Sequence, residues 1–370
     1  MKTKSTSLLR LPSGSASLFL QAARHQQRLV QALNELYDSW AYLPVHTPLV
    51  DFSRSYEGLV PEKDLKRVYH LVDRDGEILM LRWDLTLFLV KQVGSLLSEA
   101  PLPLRLCYAD SILRHQDSED ISHNEFFQTG AELIGRAGPD GDLEVLLLLH
   151  QALTTLNLPA TIHLGNRRLF NLAFGDQDTP LSRELIRAIA GRDFTRAAEI
   201  AVGISVFDLA QTQAIIAIFS LIGTAAEIST KIDQVAAHLP ASVLAEAQTT
   251  IAFAESATSL APSIDIHLDF SELGGQSYYS GLVFQAYADG VSSAIASGGR
   301  YDRLLERLGN PAPAAGFSIM LSKIAAISHL QGESISPIVD LGKSEDPPKS
   351  FAGRYSQAAT LRAAGNRVAL

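Results

Sequence analysis

Cysteine, basic residues and long apolar runs are scarce in this chain of 370 residues. Its one cysteine, Cys107, excludes an intrachain disulfide and any thiolate zinc cluster, and it fits a reducing cytoplasm. The longest apolar stretch, 214–226, is interrupted by Ser220 and Gly223, whereas a membrane span needs about 18 apolar residues. The first residues also lack an apolar segment of signal-peptide length. We therefore expect a soluble, cytoplasmic protein that does not enter a membrane.

Positive charge is in deficit, because 31 Lys and Arg face 40 Asp and Glu, which gives a net charge of −9. Non-specific nucleic-acid binding depends on clustered basic side chains, so the composition does not favour it. Hydrophobic residues make up 46% of the chain and charged residues 19%. A chain of this length and composition can bury a sizeable core and is expected to form two or three domains.

Common catalytic signatures are also lacking. The sequence has no G-x-S-x-G, H-E-x-x-H or G-x-G-x-x-G motif, and its ten histidines show no metal-ligand spacing. The GKS at 342–344 lacks the preceding P-loop glycine, since Pro337 stands there. The acidic pairs Glu119-Asp120 and Glu345-Asp346 lie in polar segments, without the apolar strand expected before a phosphoribosyl-pyrophosphate site. We expect no metal and no cofactor.

Hydrophobic periodicity divides the chain into strand-rich and helix-rich parts. The first part contains a helix over 15–38 capped by Ser15 or Ser17, an edge strand near 40–49, a hairpin over 67–81 and a helix over 84–92. Strands are predicted at 103–115, 124–136, 158–165, 264–270, 278–287 and 291–297, with a helix over 143–156. The segment 298–309 is predicted to be a turn into a helix. We predict a core of 1–165 and 262–330, a helical insertion at 166–261, and a linker and tail at 331–370.

Polar residues interrupt several of these strands. They occur in LRWDLT (81–86), SILRHQ (111–116), FFQTGAE (126–132) and GGQSYYSG (274–281). In FFQTGAE, a period of two puts Gln128 and Glu132 on one face of the strand. Taken singly, each of these polar residues has a plain structural interpretation. Arg114 would pair with a nearby acid, Gln128 and Glu132 would face solvent, and the two tyrosines of GGQSYYSG would lie in the core and at its rim.

In this order, the segments resemble the catalytic core of histidyl-tRNA synthetases, which are class II enzymes. AYLPVHTPLVDF resembles motif 1, RLCYADSILRHQ with NEFFQTGAELIG resembles motif 2, and PAPAAGFSIMLSKI resembles motif 3. GGQSYYSGLVF and GGRYD resemble the two histidine-specific signatures. The resemblance implies an α+β fold with a six- or seven-stranded antiparallel sheet flanked by helices, and a homodimer formed through motif 1.

The sequence departs from the synthetases at the arginines that would hold ATP. The motif 2 arginine is kept as Arg114, but Ser122, Lys323 and Gly274 stand where the resemblance places three others. Arginines bind phosphate as charge-assisted, often bidentate donors, so these changes should abolish adenylate formation. We also expect no anticodon-binding domain, apart from a short likeness in the last residues. We therefore expect a protein that is not an enzyme.

The amino-acid pocket is kept better than the ATP site. By resemblance, the α-ammonium group of histidine would be held by Asp84, Thr86 and Gln128, and its carboxylate by Arg114. The imidazole would lie between Glu132 and Tyr279, with Tyr278 as a wall. This pattern resembles the synthetase-like regulatory subunits of ATP phosphoribosyltransferase, which act in the first step of histidine biosynthesis.

That second resemblance implies a short-form catalytic subunit as partner, in a hetero-octamer, with L-histidine as effector. It also implies that the regulatory subunit is needed for transferase activity and for feedback inhibition. Two alternatives stay open: a histidyl-tRNA synthetase, and a synthetase-like histidine-binding regulator with another target.

Overall fold

The computed structural model describes residues 11–12, 14–60, 62–94, 101–115, 124–177, 179–328, 330, 338–341, 350–365 and 367–369. The predicted acidic segment 116–122 and most of the predicted linker lie outside these residues. The chain divides into two compact units, 1–328 and 329–370. No helix in the described ranges has the length and apolar character needed to cross a membrane. The predicted three-part domain division stays a prediction.

The larger unit contains twelve α-helices and twelve strands within the described ranges. The helices are α1 Leu20–Ser39, α2 Glu62–Leu65, α3 Leu85–Val93, α4 Pro139–Thr155, α5 Arg167–Phe174, α6 Pro180–Ala190, α7 Phe194–Ile204, α8 Leu209–Phe219, α9 Ala225–Val235, α10 Ala241–Leu260, α11 Asp302–Arg307 and α12 Leu321–Ile324. The strands are β1 Leu43–Pro44, β2 Val50–Phe52, β3 His70–Val72, β4 Ile78–Leu81, β5 Leu104–Leu113, β6 Glu125–Ile134, β7 Thr161–Asn166, β8 Ile222–Gly223, β9 Asp265–Asp269, β10 Leu282–Tyr287, β11 Ala296–Arg300 and β12 Ala314–Met320.

A nine-stranded sheet forms the centre of the larger unit, in the order β1-β5-β6-β12-β11-β10-β7-β9-β8. The six strands from β5 to β7 in this order pair antiparallel. The expected α+β sheet flanked by helices is therefore confirmed, but it is wider than predicted and mixed. Strands β1 and β9 pair in parallel with β5 and β7. A parallel pair needs a long crossover, and helices α5–α10 provide it between β7 and β9.

A second sheet of three strands, β2-β4-β3, contains the predicted hairpin. Strands β3 and β4 pair antiparallel. The Asp73 side chain closes their turn by accepting hydrogen bonds from the backbone N–H groups of Asp75 and Glu77, both at 2.9 Å. The short polar side chain thus replaces a backbone acceptor, as is typical of Asp in turns.

Two local predictions were wrong. Helix α1 begins at Leu20, and its N-cap residue Phe19 makes no side-chain cap, so Ser15 and Ser17 do not cap the helix. The glycines of GGRYD were predicted to form a turn, but they are strand residues of β11. A Cβ on Gly298 would lie 2.4 Å from the Phe284 ring and 2.5 Å from the Gly316 carbonyl oxygen. Glycine is therefore needed here for close packing between strands, not for a turn.

The smaller unit contains β13 Ile338–Asp340, α13 Phe351–Ala363 and β14 Arg367–Ala369. Strands β13 and β14 pair in parallel, with α13 as their crossover. Leu341 and Ala358 are buried in this unit.

One apolar cluster of the larger unit packs helix α3 against strands β5 and β6 and helix α11. Its buried members include Phe88, Leu89, Ile112, Phe126 and Leu305. The charged and polar side chains described next lie at one border of this cluster. Their surroundings are therefore apolar and their positions are fixed by close packing.

Candidate functional site

A cavity of about 60 Å³ lies beside this apolar cluster. Helix α3, strands β5, β6, β11 and β12, and the loop 276–279 all contribute to its wall. All seven predicted site residues line it, namely Asp84, Thr86, Arg114, Gln128, Glu132, Tyr278 and Tyr279. The chain thus brings together side chains that are up to 195 positions apart, from 84 to 279. The ligand and the role of each residue stay predictions.

Glu132 is the most enclosed carboxyl group of the cavity, with no exposed surface. It accepts hydrogen bonds from the hydroxyl groups of Thr86 at 2.6 Å, Tyr108 at 3.4 Å and Tyr301. Burial raises the pKa of Glu132 to about 8, although these hydroxyl donors lower it. Desolvation therefore outweighs hydrogen bonding, since none of the donors carries a charge.

Glycine makes space for this carboxyl group. Gly316 lies opposite Glu132 in the register between β12 and β6. A Cβ at Gly316 would approach the Glu132 Oε2 atom to 1.6 Å. Any side chain at position 316 would therefore displace Glu132 from the cavity.

Asp84 has a structural role that the sequence analysis missed. It is the N-cap of α3, and its Oδ1 atom accepts a hydrogen bond from the Leu87 backbone N–H at 2.8 Å. Its Oδ2 atom is 3.5 Å from the Tyr278 hydroxyl group. Burial raises the pKa of Asp84, and the positive charge of Arg114 opposes that shift. The cap leaves one carboxylate oxygen directed to the cavity side.

Arg114 follows β5 and is held by Trp83; among the described residues, no carboxylate contacts it. Its Nη2 atom donates to the Trp83 carbonyl oxygen at 2.9 Å, and its guanidinium group lies 5.4 Å from the centre of the Trp83 ring. Within the described part of the chain, its buried Nε has no hydrogen-bond partner. Burial lowers the pKa of Arg114, and Asp84 opposes this. The plain interpretation, in which Arg114 pairs with a nearby acid, is therefore limited to the electrostatic effect of Asp84.

The plain structural interpretation of Gln128 and Glu132, that both face solvent, was wrong, because they are 5% and 0% exposed. The period of two in β6 is confirmed, since both side chains line the cavity. The Gln128 amide donates to the Met320 sulfur at 3.0 Å, and thioether sulfur is a weak acceptor. This amide therefore keeps most of its hydrogen-bonding capacity for a ligand.

Tyr278 and Tyr279 form the aromatic side of the cavity. Their ring centroids are 5.2 Å apart, and the Tyr278 ring packs edge-on against Tyr301 at 5.8 Å. Burial is the main cause of the raised pKa of both phenols. They are neutral hydroxyl groups at physiological pH and can act as donors or acceptors.

Several lining residues were not predicted from the sequence. The most important are Tyr108 and Tyr301, which both contact Glu132. Tyr301 belongs to GGRYD, which resembles a histidine-specific signature. This resemblance could have predicted its position beside the cavity. Tyr108 lies in an apolar strand in which nothing distinguishes it from a core residue. The other unpredicted polar residues of the wall are Gln276, Ser297 and Ser318.

Two of the three departures from the synthetase arginines lie in described residues. The Lys323 ammonium group donates to the Ser293 hydroxyl at 2.7 Å and the Ala294 carbonyl at 3.0 Å. Gly274 has φ +79°, and a Cβ there would lie 2.4 Å from the Tyr279 ring. An arginine at position 274 is therefore incompatible with this loop conformation. Ser122 lies outside the described residues.

The charged groups of the wall define what the cavity can accommodate. Two carboxyl groups, on Asp84 and Glu132, face one guanidinium group on Arg114. A ligand with a carboxylate, an ammonium group and a further N–H donor would complement all three. Such a ligand would also satisfy buried polar groups whose isolation is unfavourable.

Comparison with known proteins shows the family of the chain. The family model described as histidyl-tRNA synthetase matches residues 14–324. An ATP phosphoribosyltransferase regulatory subunit from Azoarcus sp. is 32% identical over 97% of this chain and 88% of its own length. A protein of the same name from Moorella thermoacetica is 29% identical over 94% of this chain and 85% of its own.

Solved structures share the fold. A crystal structure described as an ATP phosphoribosyltransferase regulatory subunit/histidyl-tRNA synthetase from Bacillus halodurans aligns with a TM-score of 0.77 and 23% identity, over 98% of this chain and 92% of that one. Histidyl-tRNA synthetase from Nostoc sp. PCC 7120 aligns with a TM-score of 0.75 and 19% identity, over 97% and 85%. The fold is thus that of the class II histidyl-tRNA synthetases, and the predicted fold class is confirmed. The chain belongs to the histidyl-tRNA synthetase family and, within it, to the regulatory subunits of ATP phosphoribosyltransferase.

Proposed function

We propose that this protein is a non-catalytic regulatory subunit of ATP phosphoribosyltransferase that binds free L-histidine in the cavity of Glu132. It is needed for the activity of a short catalytic subunit and takes part in feedback inhibition by histidine. The observation that carries the proposal is the convergence of Asp84, Arg114 and Glu132 on one cavity. The names of the relatives support the transferase as the target.

Charge supports histidine as the ligand. Its α-ammonium group suits Asp84, its carboxylate suits Arg114, and its imidazole N–H suits Glu132. Because Glu132 is buried among neutral hydroxyl groups, a cationic or N–H partner there would gain a charge-assisted hydrogen bond of about 1.5–3 kcal/mol. Amino acids without such a side-chain donor make no hydrogen bond to Glu132 and should bind more weakly.

The non-catalytic part of the proposal rests on Lys323 and Gly274. Lys323 already donates to Ser293 and Ala294, and Gly274 cannot be an arginine in this loop. Without those arginines the charge that develops on a reacting phosphoryl group lacks its donors. We expect no histidine-dependent exchange of pyrophosphate into ATP. Such an exchange at the rate of a synthetase would favour the alternative that the protein charges tRNA.

The deciding experiment mixes this protein with a purified short-form ATP phosphoribosyltransferase. We expect a stable complex, a hetero-octamer built on a homodimer of this chain, and transferase activity only in the mixture. Histidine should inhibit that activity. If ligand binding differs between the active and inhibited assemblies, reciprocity requires histidine to shift the equilibrium between them. A short subunit that is fully active and histidine-sensitive alone would refute the regulatory role.

A cavity variant links this effect to the proposed site. Glu132→Ala should weaken histidine binding about tenfold to a hundredfold in calorimetry. Glu144→Gln is the matched control, because Glu144 is a half-buried acid that pairs with Arg105 outside the cavity. Equal affinities for Glu132→Ala and the unmodified protein would remove Glu132 from the ligand site. The predicted cytoplasmic location is part of the same proposal.

A further inference from the structure

The segment GGRYD contains a buried arginine that lies outside the cavity wall. Arg300 ends strand β11 and is 8% exposed. Its Nε atom donates to Asp142 at 2.8 Å and its Nη1 atom to Asp302 at 3.0 Å. Its Nη2 atom donates to the carbonyl oxygens of Gly138 at 3.1 Å and Arg136 at 3.3 Å. One guanidinium group thus fixes the beginning of α4 to the end of β11.

The backbone around Arg300 belongs to the same network. The Arg300 carbonyl accepts a hydrogen bond from the Ser280 backbone N–H at 2.8 Å. The Ser280 hydroxyl accepts from the Asp302 N–H at 3.1 Å. The Asp302 carboxylate accepts from the Ala314 N–H at 2.8 Å. The loop before β10, the start of α11 and the start of β12 are therefore tied together at Arg300.

Two cavity tyrosines are direct chain neighbours of this network. Tyr279 precedes Ser280, and Tyr301 follows Arg300 and donates its hydroxyl hydrogen bond to Glu132. The Tyr301 backbone N–H is also fixed, since it donates to the Ala314 carbonyl at 2.8 Å. A shift of the Arg300 backbone must therefore move at least one hydroxyl group that faces the ligand space.

We propose that Arg300, together with Asp142 and Asp302, is the positioning residue that holds Tyr301 against Glu132 and Tyr279 beside the cavity. Arg300 does not line the cavity, so it acts on a ligand only through these tyrosines. The inference rests on the proposed function in so far as the ligand is histidine. The contact between Tyr301 and Glu132 does not depend on the ligand.

The Glu132 carboxyl group provides a readout that a purely structural role would not change. The Tyr301 hydroxyl stabilises the charged carboxylate, and its hydrogen bond lowers the pKa of Glu132 against the effect of burial. Loss of this bond should raise that pKa further. Among the described residues, the other titratable and polar groups that interact with Glu132 are Thr86, Asp84, Tyr108, Tyr278, Tyr279 and Tyr42.

The test titrates Glu132 directly, by carbon-13 NMR of its side-chain carboxyl, assigned with Glu132→Gln. In the unmodified protein the midpoint is expected near pH 8. In Arg300→Met it should rise by on the order of half to one pH unit. The affinity for histidine should also fall about tenfold, which corresponds to one charge-assisted hydrogen bond.

Arg105→Met is the matched control. Arg105 also reaches from a strand to α4, where it makes a two-pronged ion pair with Glu144 at 2.6 and 2.9 Å, but it does not line the cavity. Both methionine variants should lower the melting temperature, and only Arg300→Met should move the Glu132 midpoint. If both variants move it equally, or neither does, the inference is wrong.

Two further variants keep the test decisive. Where Arg300→Met does not fold, Arg300→Lys keeps the charge but cannot make four contacts, and it should move the midpoint in the same direction. Asp142→Asn keeps an acceptor for Arg300 and should move it least. If the unmodified protein binds no histidine while the midpoint still shifts, the proposed function fails and the positioning role stands. An unchanged midpoint in Arg300→Lys would refute the positioning role.

Discussion

Glu132 has hydroxyl donors on three sides and, in the part of the chain that the structure describes, no cation beside it. A carboxyl group in such surroundings is held partly in its protonated form near neutral pH. Histidine has an imidazole pKa of about 6.5. Because free imidazole is a weaker base than this carboxylate, a bound imidazole takes the proton from Glu132 only if the ion pair that forms raises the imidazole pKa above about 8.

The proton on the Glu132 carboxyl group also affects the stability of the free protein, which can be measured without a ligand. The pKa of Glu132 rises from 4.5 to about 8 on folding, so between these values the folded state holds a proton that the unfolded chain releases. This contribution to stability is complete below pH 4.5 and is lost as the pH rises to about 8, at up to about 1.4 kcal/mol per pH unit.

Glu132→Gln should remove that part of the pH dependence. Urea unfolding at pH 5, 6, 7 and 8 should show a shallower decline for the variant than for the unmodified protein. The quantity to compare is the difference in the free energy of unfolding between the two proteins at each pH. Asp84, Asp142 and Glu272 also have raised pKa values, but they remain in both proteins and their effects cancel. Parallel curves for the two proteins would show that Glu132 is ionised in the free cavity.

At the scale of single elements, helix α3 connects the cavity with the small sheet. Its first turn places Asp84 and Thr86 in the wall. Near its last turn, the Lys91 ammonium group donates to the Asp51 carboxylate of β2 at 2.7 Å. The same Asp51 Oδ2 atom accepts from the Tyr56 hydroxyl at 2.8 Å. The helix thus has one end in the cavity and the other bound to the segment that resembles motif 1.

Asp84 serves both the helix and the cavity, and two substitutions should separate these roles. Asparagine is also a good N-cap, so Asp84→Asn should change the free energy of unfolding little while it weakens histidine binding. Asp84→Ala should weaken binding and also destabilise the protein by about 1 kcal/mol through loss of the cap. Thermal unfolding and calorimetry on both variants give the answer. A large loss of stability in Asp84→Asn would mean that its charge is needed for folding.

Local patterns predicted the elements well where neighbouring residues determine the structure. The hairpin of β3 and β4 follows from a turn closed by Asp73, and the cavity side of β6 follows from its period of two. The start of α1 and the strand character of Gly298 depend on tertiary packing, which periodicity does not record. The parallel pairing of β1 and β9 likewise needs partners that are distant in the chain.

The site was predicted from the order of the motifs, not from any single pattern. Asp84, Arg114 and Tyr279 lie on separate elements, and only the family resemblance indicates that they meet. The helix cap formed by Asp84 was not predicted, because the resemblance assigned this residue to ligand binding. Arg82 belongs to the same segment, LRWDLT, but its side chain is buried and donates hydrogen bonds to the carbonyl oxygens of Thr47 and Ser111. Its role is to join β4 to β5.

At the scale of the whole molecule, the proposed regulation needs more than one chain, and the proposed homodimer through the segment that resembles motif 1 would be its first step. That segment contains apolar side chains at the surface. Leu43 in β1 is 63% exposed and Leu49 is 50% exposed. Strand β1 is an edge of the nine-stranded sheet. An exposed leucine on an edge strand is unfavourable for an isolated chain and favours coverage by a second chain.

A charge at this position should therefore oppose dimer formation. In a two-fold dimer each chain contributes the same surface, so Leu43→Asp introduces the charge twice. We expect the dimer dissociation constant to rise by roughly a hundredfold, because burying an unpaired carboxylate is unfavourable. Sedimentation equilibrium over a range of concentrations measures it. Val206→Asp is the control, since Val206 is 88% exposed but lies between α7 and α8, away from the motif 1 segment in the chain. A dimer that is unchanged in Leu43→Asp and weakened in Val206→Asp would move the interface from the motif 1 segment to the helices.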